Sequence, residues 1–112
     1  MLPVSVRIFL CTVPQDMRRS FDTLAQVVRE QLKEEPQSGA LYVFVGKRPT
    51  RVKVLWWDRN GYCLLYKRLH QALFRVPPSR GSQVAQTIDG KALAELLAGV
   101  AKEQRRAAGR LN

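Results

Sequence analysis

Apolar and polar positions along the chain alternate in segments whose period changes from two to about three and a half. Residues 5 to 11, Ser-Val-Arg-Ile-Phe-Leu-Cys, are rich in β-formers and run into Thr12-Val13-Pro14, so they predict a first strand. Behind Ser20, a favoured N-cap residue, Phe21, Leu24, Ala25, Val28 and Leu32 recur at helical spacing and predict a helix over about 20 to 33. That apolar face needs a sheet to pack on. Pro36-Gln37-Ser38-Gly39 closes the helix, and Leu41 to Val45 is apolar at every position, as in a short buried strand. After the turn-like Gly46-Lys47-Arg48-Pro49-Thr50, Val52, Val54 and Trp56 alternate with Arg51, Lys53 and Trp57, the pattern of a half-buried strand.

Asn60-Gly61 between two β-like runs is a strong hairpin signal, because both residues tolerate positive φ. With those two as the loop, Trp56 faces Leu65 and Trp57 faces Leu64. One hairpin face then carries Val52, Val54, Trp56, Cys63, Leu65 and Leu69, with Lys67 out of character. The other carries Lys53, Leu55, Trp57, Leu64, Tyr66 and Arg68. The first is expected to be core, and a slip of one residue would exchange the two. Leu73 to Val76 suggests a further edge strand stopped by Pro77-Pro78, and Ser79 to Gln83 an exposed loop. Asp89 is placed to cap a helix bearing Leu93, Leu96, Leu97 and Val100. The expected fold class is α+β: an antiparallel sheet of four to five strands, one helix after the first strand and a C-terminal helix. Residues 1–104 form the single domain and 105–112 a frayed basic tail.

Composition agrees with a folded domain, at 46% apolar and 25% charged residues. The apolar runs are far shorter than the roughly 20 residues needed to cross a bilayer, and Met1 to Arg7 lacks the pattern of a signal peptide. A cytoplasmic protein with no membrane partner is expected. Cys11 and Cys63 sit in apolar runs without CxxC or Cys/His spacing, which predicts reduced, structural thiols and no zinc site.

Charge changes the picture more. The net charge is +10, and it is confined. Residues 36 to 80 hold Lys47, Arg48, Arg51, Lys53, Arg59, Lys67, Arg68, Arg75 and Arg80 against Asp58 alone, whereas bases and acids balance over residues 1 to 35. A concentrated positive field attracts polyanions, nucleic acid foremost. On the second hairpin face, bases interleave with rings: Lys53, Trp57, Tyr66 and Arg68, with Arg51 and Arg59 near. Cations neutralise phosphates and rings stack on bases. Against this, Trp57 fits at least as well under a helix with the bases snorkelling at the rim, while Lys53 and Arg68 fit better as phosphate contacts. Lys47, Arg48 and Arg51 surround a turn that could probe a groove.

Little points to catalysis. Asp58 ends an apolar strand where a metal-binding acid could sit, but metal-dependent phosphoryl transfer needs several convergent carboxylates, and Asp58 suits a turn equally well. His70 is the single histidine, and no phosphate-binding glycine loop is present. No catalytic residue, metal or cofactor is assigned.

Two stretches carry a family resemblance. Pro14-Gln15-Asp16-Met17-Arg18-Arg19-Ser20-Phe21-Asp22-Thr23-Leu24 resembles P-x-D-M-R-[KR]-[SG]-[FI]-D-x-L. Leu41-Tyr42-Val43-Phe44, then Arg51-Val52-Lys53-Val54-Leu55-Trp56-Trp57-Asp58-Arg59-Asn60-Gly61-Tyr62 through Tyr66-Lys67-Arg68-Leu69, resembles F-x-F-x-x-[RK]…R-x-K-x-L-x-[WY]-D-x-x-G-[FY]…K-R-L. These are the blocks of TnpB-type accessory proteins of the insertion-sequence-66 group of bacterial transposable elements, over roughly residues 3 to 76. His70-Gln71-Ala72-Leu73 departs from the pattern, where an acid and a glycine are usual.

The resemblance implies a small protein encoded beside a separate, larger transposase and contributing to transposition, and it does not imply nuclease activity. Carried over by position, the residues of interest are Asp16, Met17, Arg18, Arg19 and Asp22, then Arg51, Lys53, Trp57, Asp58, Gly61, Lys67 and Arg68. Asp16 and Asp22 suit a helix start, but the dipole disfavours Arg18 and Arg19 there, which favours a functional role for both. The expected function is a non-catalytic accessory role, with DNA at the element ends and the transposase as partners. Arg18, Arg19, Lys47, Arg48, Arg51, Lys53, Arg59, Lys67 and Arg68 would contact nucleic acid, and Trp57 and Tyr66 would stack or bind a partner. The alternatives are a module that docks on the transposase through Trp57 and Tyr66, and a metal-dependent nuclease built on Asp58.

Overall fold

Pro14 cannot donate to a ladder, yet in the computed structural model, which describes residues 6–77, 81 and 83–101, the first strand runs past it. β1 spans Ile8–Gln15 and absorbs the proline in a bulge, where its register to the neighbouring strand shifts between Cys11 and Gln15. Buried Gln15 closes this irregular stretch, its side-chain amide donating to the Val13 carbonyl at 3.2 Å.

The helix follows where its periodicity places it. α1, Phe21–Val27, starts with a capping box between Ser20 and Thr23 and continues as a π-helical turn, Val28–Leu32. Lys33, at φ 58°, ends the turn in the left-handed region. Leu24, Ala25, Val27, Val28 and Leu32 are buried, but Phe21 is 44% exposed. The chain then enters β2, Leu41–Gly46, followed by β3, Arg51–Asp58, and β4, Gly61–Arg68.

The sheet has five strands in the order β4-β3-β2-β1-β6, where β6 is Ala85–Ile88. It is mixed, not antiparallel throughout: β1 and β2 run parallel, with Leu10 beside Val43, and the remaining pairs are antiparallel. The reason lies in the connection. A helix inserted between two strands returns the chain to the end from which it started, so the next strand repeats the direction of the first.

The edge strand expected over Leu73 to Val76 is a two-residue strand instead. β5, Ala72–Leu73, pairs with β7, Val100–Ala101, apart from the main sheet. The fifth sheet strand comes from Ala85–Ile88, which reads only as a helix approach in sequence. α2, Gly90–Ala98, is capped as expected, with the Asp89 carboxylate accepting from the Ala92 amide at 2.8 Å. The basic tail over 105–112 lies outside the described residues.

Both sheet faces are covered. Under α1 lie Phe9, Cys11, Tyr42, Phe44 and Leu55, and Phe9 and Tyr42 stack at 5.6 Å. Under α2 lie Ile8, Leu10, Val43, Val45, Val52 and Val54, joined by Phe74. Four consecutive residues of β3, Val52 to Leu55, are therefore buried, in place of the half-buried strand that alternation suggests. Of the two thiols, both free, Cys11 is buried, and burial raises its pKa so that it stays protonated.

After α2, Gly99 turns the chain into β7 with φ 76° and ψ 176°, a region open essentially to glycine alone. A methyl group there would stand 2.6 Å from Leu69 Cδ1 and 3.1 Å from the Leu73 carbonyl oxygen. Gly99→Ala is expected to lower stability by about 2 kcal/mol or more, read as a lower urea midpoint at unchanged slope.

Candidate nucleic-acid interface

Strand direction decides which bases meet. β1 and β2 end, β3 begins and β4 finishes at one edge of the sheet, and the segments leaving those ends carry Arg18, Arg19, Lys47, Arg48, Arg51, Lys67 and Arg68. The sequence distributes these residues over half the chain; the topology collects them. Arg59 sits at the opposite end of the β3–β4 hairpin, in the turn, and does not join them.

The hairpin register differs from the expected one by two residues. Asp58 pairs with Gly61, Trp57 with Tyr62 and Trp56 with Cys63, so Arg59-Asn60 forms the loop and Arg59 takes the positive φ of 55°. Because the slip is an even number, every side chain keeps its predicted face. What changes is who stands opposite whom. Arg51 now faces Arg68, and Lys53 faces Tyr66.

Lys53 requires a correction. Its amine does not reach solvent: the residue is only 6% exposed, and Nζ donates to the Arg19 carbonyl at 2.6 Å while lying 4.8 Å from the centroid of the Tyr66 ring. A buried ammonium needs such partners. In this position Lys53 is a brace between β3 and the loop before α1, not a free phosphate contact.

Lys67 also departs from its expected place. It lies on the α2 face, and its amine donates to the Leu97 carbonyl at 2.8 Å. A cation there satisfies one of the carbonyls left open at a helix C-terminus and complements the dipole. This accounts for a lysine on an otherwise apolar face.

Trp57 packs edge-on against Tyr62, with ring centroids 5.0 Å apart. The Leu55–Leu64 row separates that pair from Tyr66, so Trp57 and Tyr66 do not form one platform. Tyr66 is instead 50% exposed. Together with Arg51 and Arg68 it lines an open pocket of about 280 Å³ on the α1 side of the sheet.

The loop that supplies Arg18 and Arg19 is held from both sides. Asp16 accepts from the Arg18 backbone amide at 2.9 Å and from the Arg18 guanidinium at 2.6 Å. Hydrogen bonds from Arg18 hold the Asp16 carboxyl well below the usual carboxylate range, with a further contribution from Lys47. Arg18 itself is largely in solvent, with 91% of its side chain exposed, and so remains on the surface although paired. Met17 packs where a side chain at residue 46 would stand: a Cβ on Gly46 would come within 2.7 Å of Met17 Cγ. The Arg19 carbonyl is taken by Lys53, while Arg19 Nε is buried and has no hydrogen-bond partner.

Asp58, exposed at the end of β3, stands away from this edge. Among the described residues, no three His, Cys, Asp or Glu side chains converge as a metal site would require, and no helix is long and apolar enough to cross a membrane. Sequence reasoning missed the opposition of Arg51 and Arg68 and the bracing role of Lys53. The first follows from placing the hairpin loop one residue earlier. The second has no local signal, since Arg19 and Lys53 meet only through the fold.

Comparison with known proteins adds a family. The IS66 Orf2-like proteins match over residues 6–107. The uncharacterized protein y4hO of Sinorhizobium fredii is 40% identical over 96 residues, covering 86% of this chain and 82% of its own. The uncharacterized protein y4jC of the same organism is 36% identical over 73 residues, covering 65% and 62%. No solved structure matches the chain.

Lys53→Ala is expected to destabilise the protein by about 1–3 kcal/mol, through the stranded Arg19 carbonyl and the lost buried contact. Chemical denaturation would read the loss, and faster amide exchange over residues 16–20 would locate it. Lys53→Ala at full stability would show that the brace contributes nothing.

Proposed function

The chain belongs to the IS66 Orf2-like family, accessory proteins of insertion sequences, and from that premise we propose that it supports transposition by binding DNA at the element's ends through its basic sheet edge. The family is not a known catalytic one, and the transposase of the same element is the natural partner in the assembly. One observation carries the reading: the fold gathers Arg18, Arg19, Lys47, Arg48, Arg51 and Arg68 at a single edge, from segments far apart in sequence.

The charge there is largely uncompensated. Among the described residues, Arg18 pairs with Asp16, but Lys47, Arg48, Arg51 and Arg68 form no ion pair. Guanidinium groups free of carboxylates are available for bidentate contact with phosphate, and their spread across two turns and a strand pair suits a backbone more than a compact anion. Lys53 and Lys67 serve indirectly, one by bracing the loop and the other by fastening α2.

Titration against labelled duplexes of the element's terminal repeat and a scrambled control tests this, at about 50 and about 200 mM salt, where four phosphate contacts change affinity by about a hundredfold. The double variant Arg51→Ala/Arg68→Ala should bind at least about tenfold more weakly at low salt, with Arg59→Ala within about twofold of the wild type. Preference for the terminal repeat would add base readout. Absence of binding at low salt would remove DNA from the account and leave the transposase as the direct partner.

A further inference from the structure

Two arginines placed directly opposite each other on neighbouring strands repel, and such like-charge pairs weaken a sheet. Arg51 and Arg68 stand in this relation at the end of the β3–β4 hairpin, and neither has an acidic partner among the described residues. Between them and Tyr66 lies the open pocket of about 280 Å³. An anion seated between the two guanidiniums would turn the repulsion into a pair of charge-assisted hydrogen bonds.

The third wall decides what kind of anion. Tyr66 is half exposed, but its ring is not loose: the buried Lys53 ammonium lies 4.8 Å from the centroid and is itself tied to the Arg19 carbonyl. A cation against one side of a ring fixes the ring's position and leaves the solvent side for another planar group.

We infer that this pocket holds one nucleotide of single-stranded DNA, with its phosphate between Arg51 and Arg68 and its base stacked on Tyr66. The inference rests on the DNA-binding reading and narrows it. In a duplex the base faces are covered by their neighbours and only groove edges and phosphates are offered. A braced, half-exposed ring flanked by two arginines is therefore of use to an unstacked base. The pocket lies at the small end of ligand-sized cavities, which suits a single nucleotide unit.

Fluorescence anisotropy with an end-labelled thymidine oligodeoxynucleotide of about twelve residues, and with a blunt duplex of the same length, tests the assignment. The wild-type protein should bind the single strand more tightly. Tyr66→Ala should weaken single-strand binding by about tenfold or more while duplex affinity stays within about twofold. Tyr66→Phe should keep the single-strand preference, and Arg68→Gln should weaken binding to both. Tyr66→Phe keeps the ring over the Lys53 ammonium and should melt with the wild type, whereas Tyr66→Ala uncovers that ammonium and should melt lower, so affinities are compared at a temperature where thermal unfolding shows each variant folded. Equal single-strand affinity in Tyr66→Ala and wild type would overturn the pocket while leaving the duplex-binding reading intact, as would a wild-type protein that prefers the duplex. Tighter binding of the matching ribo-oligonucleotide would overturn the assignment to DNA, and failure of the wild type to bind either probe would take both readings down together.

Discussion

The central strand β2 governs the architecture, because from Tyr42 to Gly46 every residue is buried. A strand apolar on both faces cannot lie at the surface of a sheet with one wet side. It needs cover above and below and neighbours on both edges. β1 and β3 supply the edges, while α1 covers one face and α2, with the segment around Phe74, covers the other. The parallel pairing of β1 and β2 follows from the same demand, since α1 can cover the sheet only by crossing it between the two strands.

That crossover has a consequence for charge. It brings the end of β1, and with it the Asp16–Ser20 loop, to the edge where the β2–β3 turn and the open end of the hairpin already lie. Bases contributed by three separate segments become neighbours. The interior then stiffens what the surface presents. Lys53 commits its charge to the Arg19 carbonyl and the Tyr66 ring, Lys67 to the end of α2, and Asp16 to Arg18. Among the described residues, the cations without an ion pair, Arg51 and Arg68 above all, stand on hydrogen-bonded strands, at the paired ends of β3 and β4. Pre-organised charge binds more tightly than the same charge on a flexible tail, because less ordering entropy is lost on binding.

Much of this is legible in the sequence. Both helices appear where apolar residues recur at helical spacing, Ser20 and Asp89 cap them, and the three consecutive strands from Leu41 to Arg68 follow from their β-rich runs and turn residues. The confinement of positive charge to the middle of the chain, and its tie to an insertion-sequence accessory family, are carried by the residues alone. Where sequence and fold part, distant parts of the chain decided the outcome. Ala85–Ile88 becomes a strand because the exposed ladder of β1 pairs with it, and β3 is buried on both sides because two helices far from it in sequence arrive to cover it. The hairpin register turned on which of two overlapping residue pairs, Arg59-Asn60 or Asn60-Gly61, made the loop, and both keep the same side chains on the same faces.

What the sequence by itself determined is therefore the two helices, the four strands β1 to β4, the basic character of residues 36–80 and the family. Each of these depends on neighbours a few positions away, on side-chain period or on a count of charges. Only the tertiary structure decided that Lys53 is a brace, that Lys67 fastens a helix, that Arg51 opposes Arg68, and that Arg59 stands apart from the other bases. Whether a cation is buried, paired or free depends on groups that approach from remote segments, and in a chain of alternating faces nothing local carries that information.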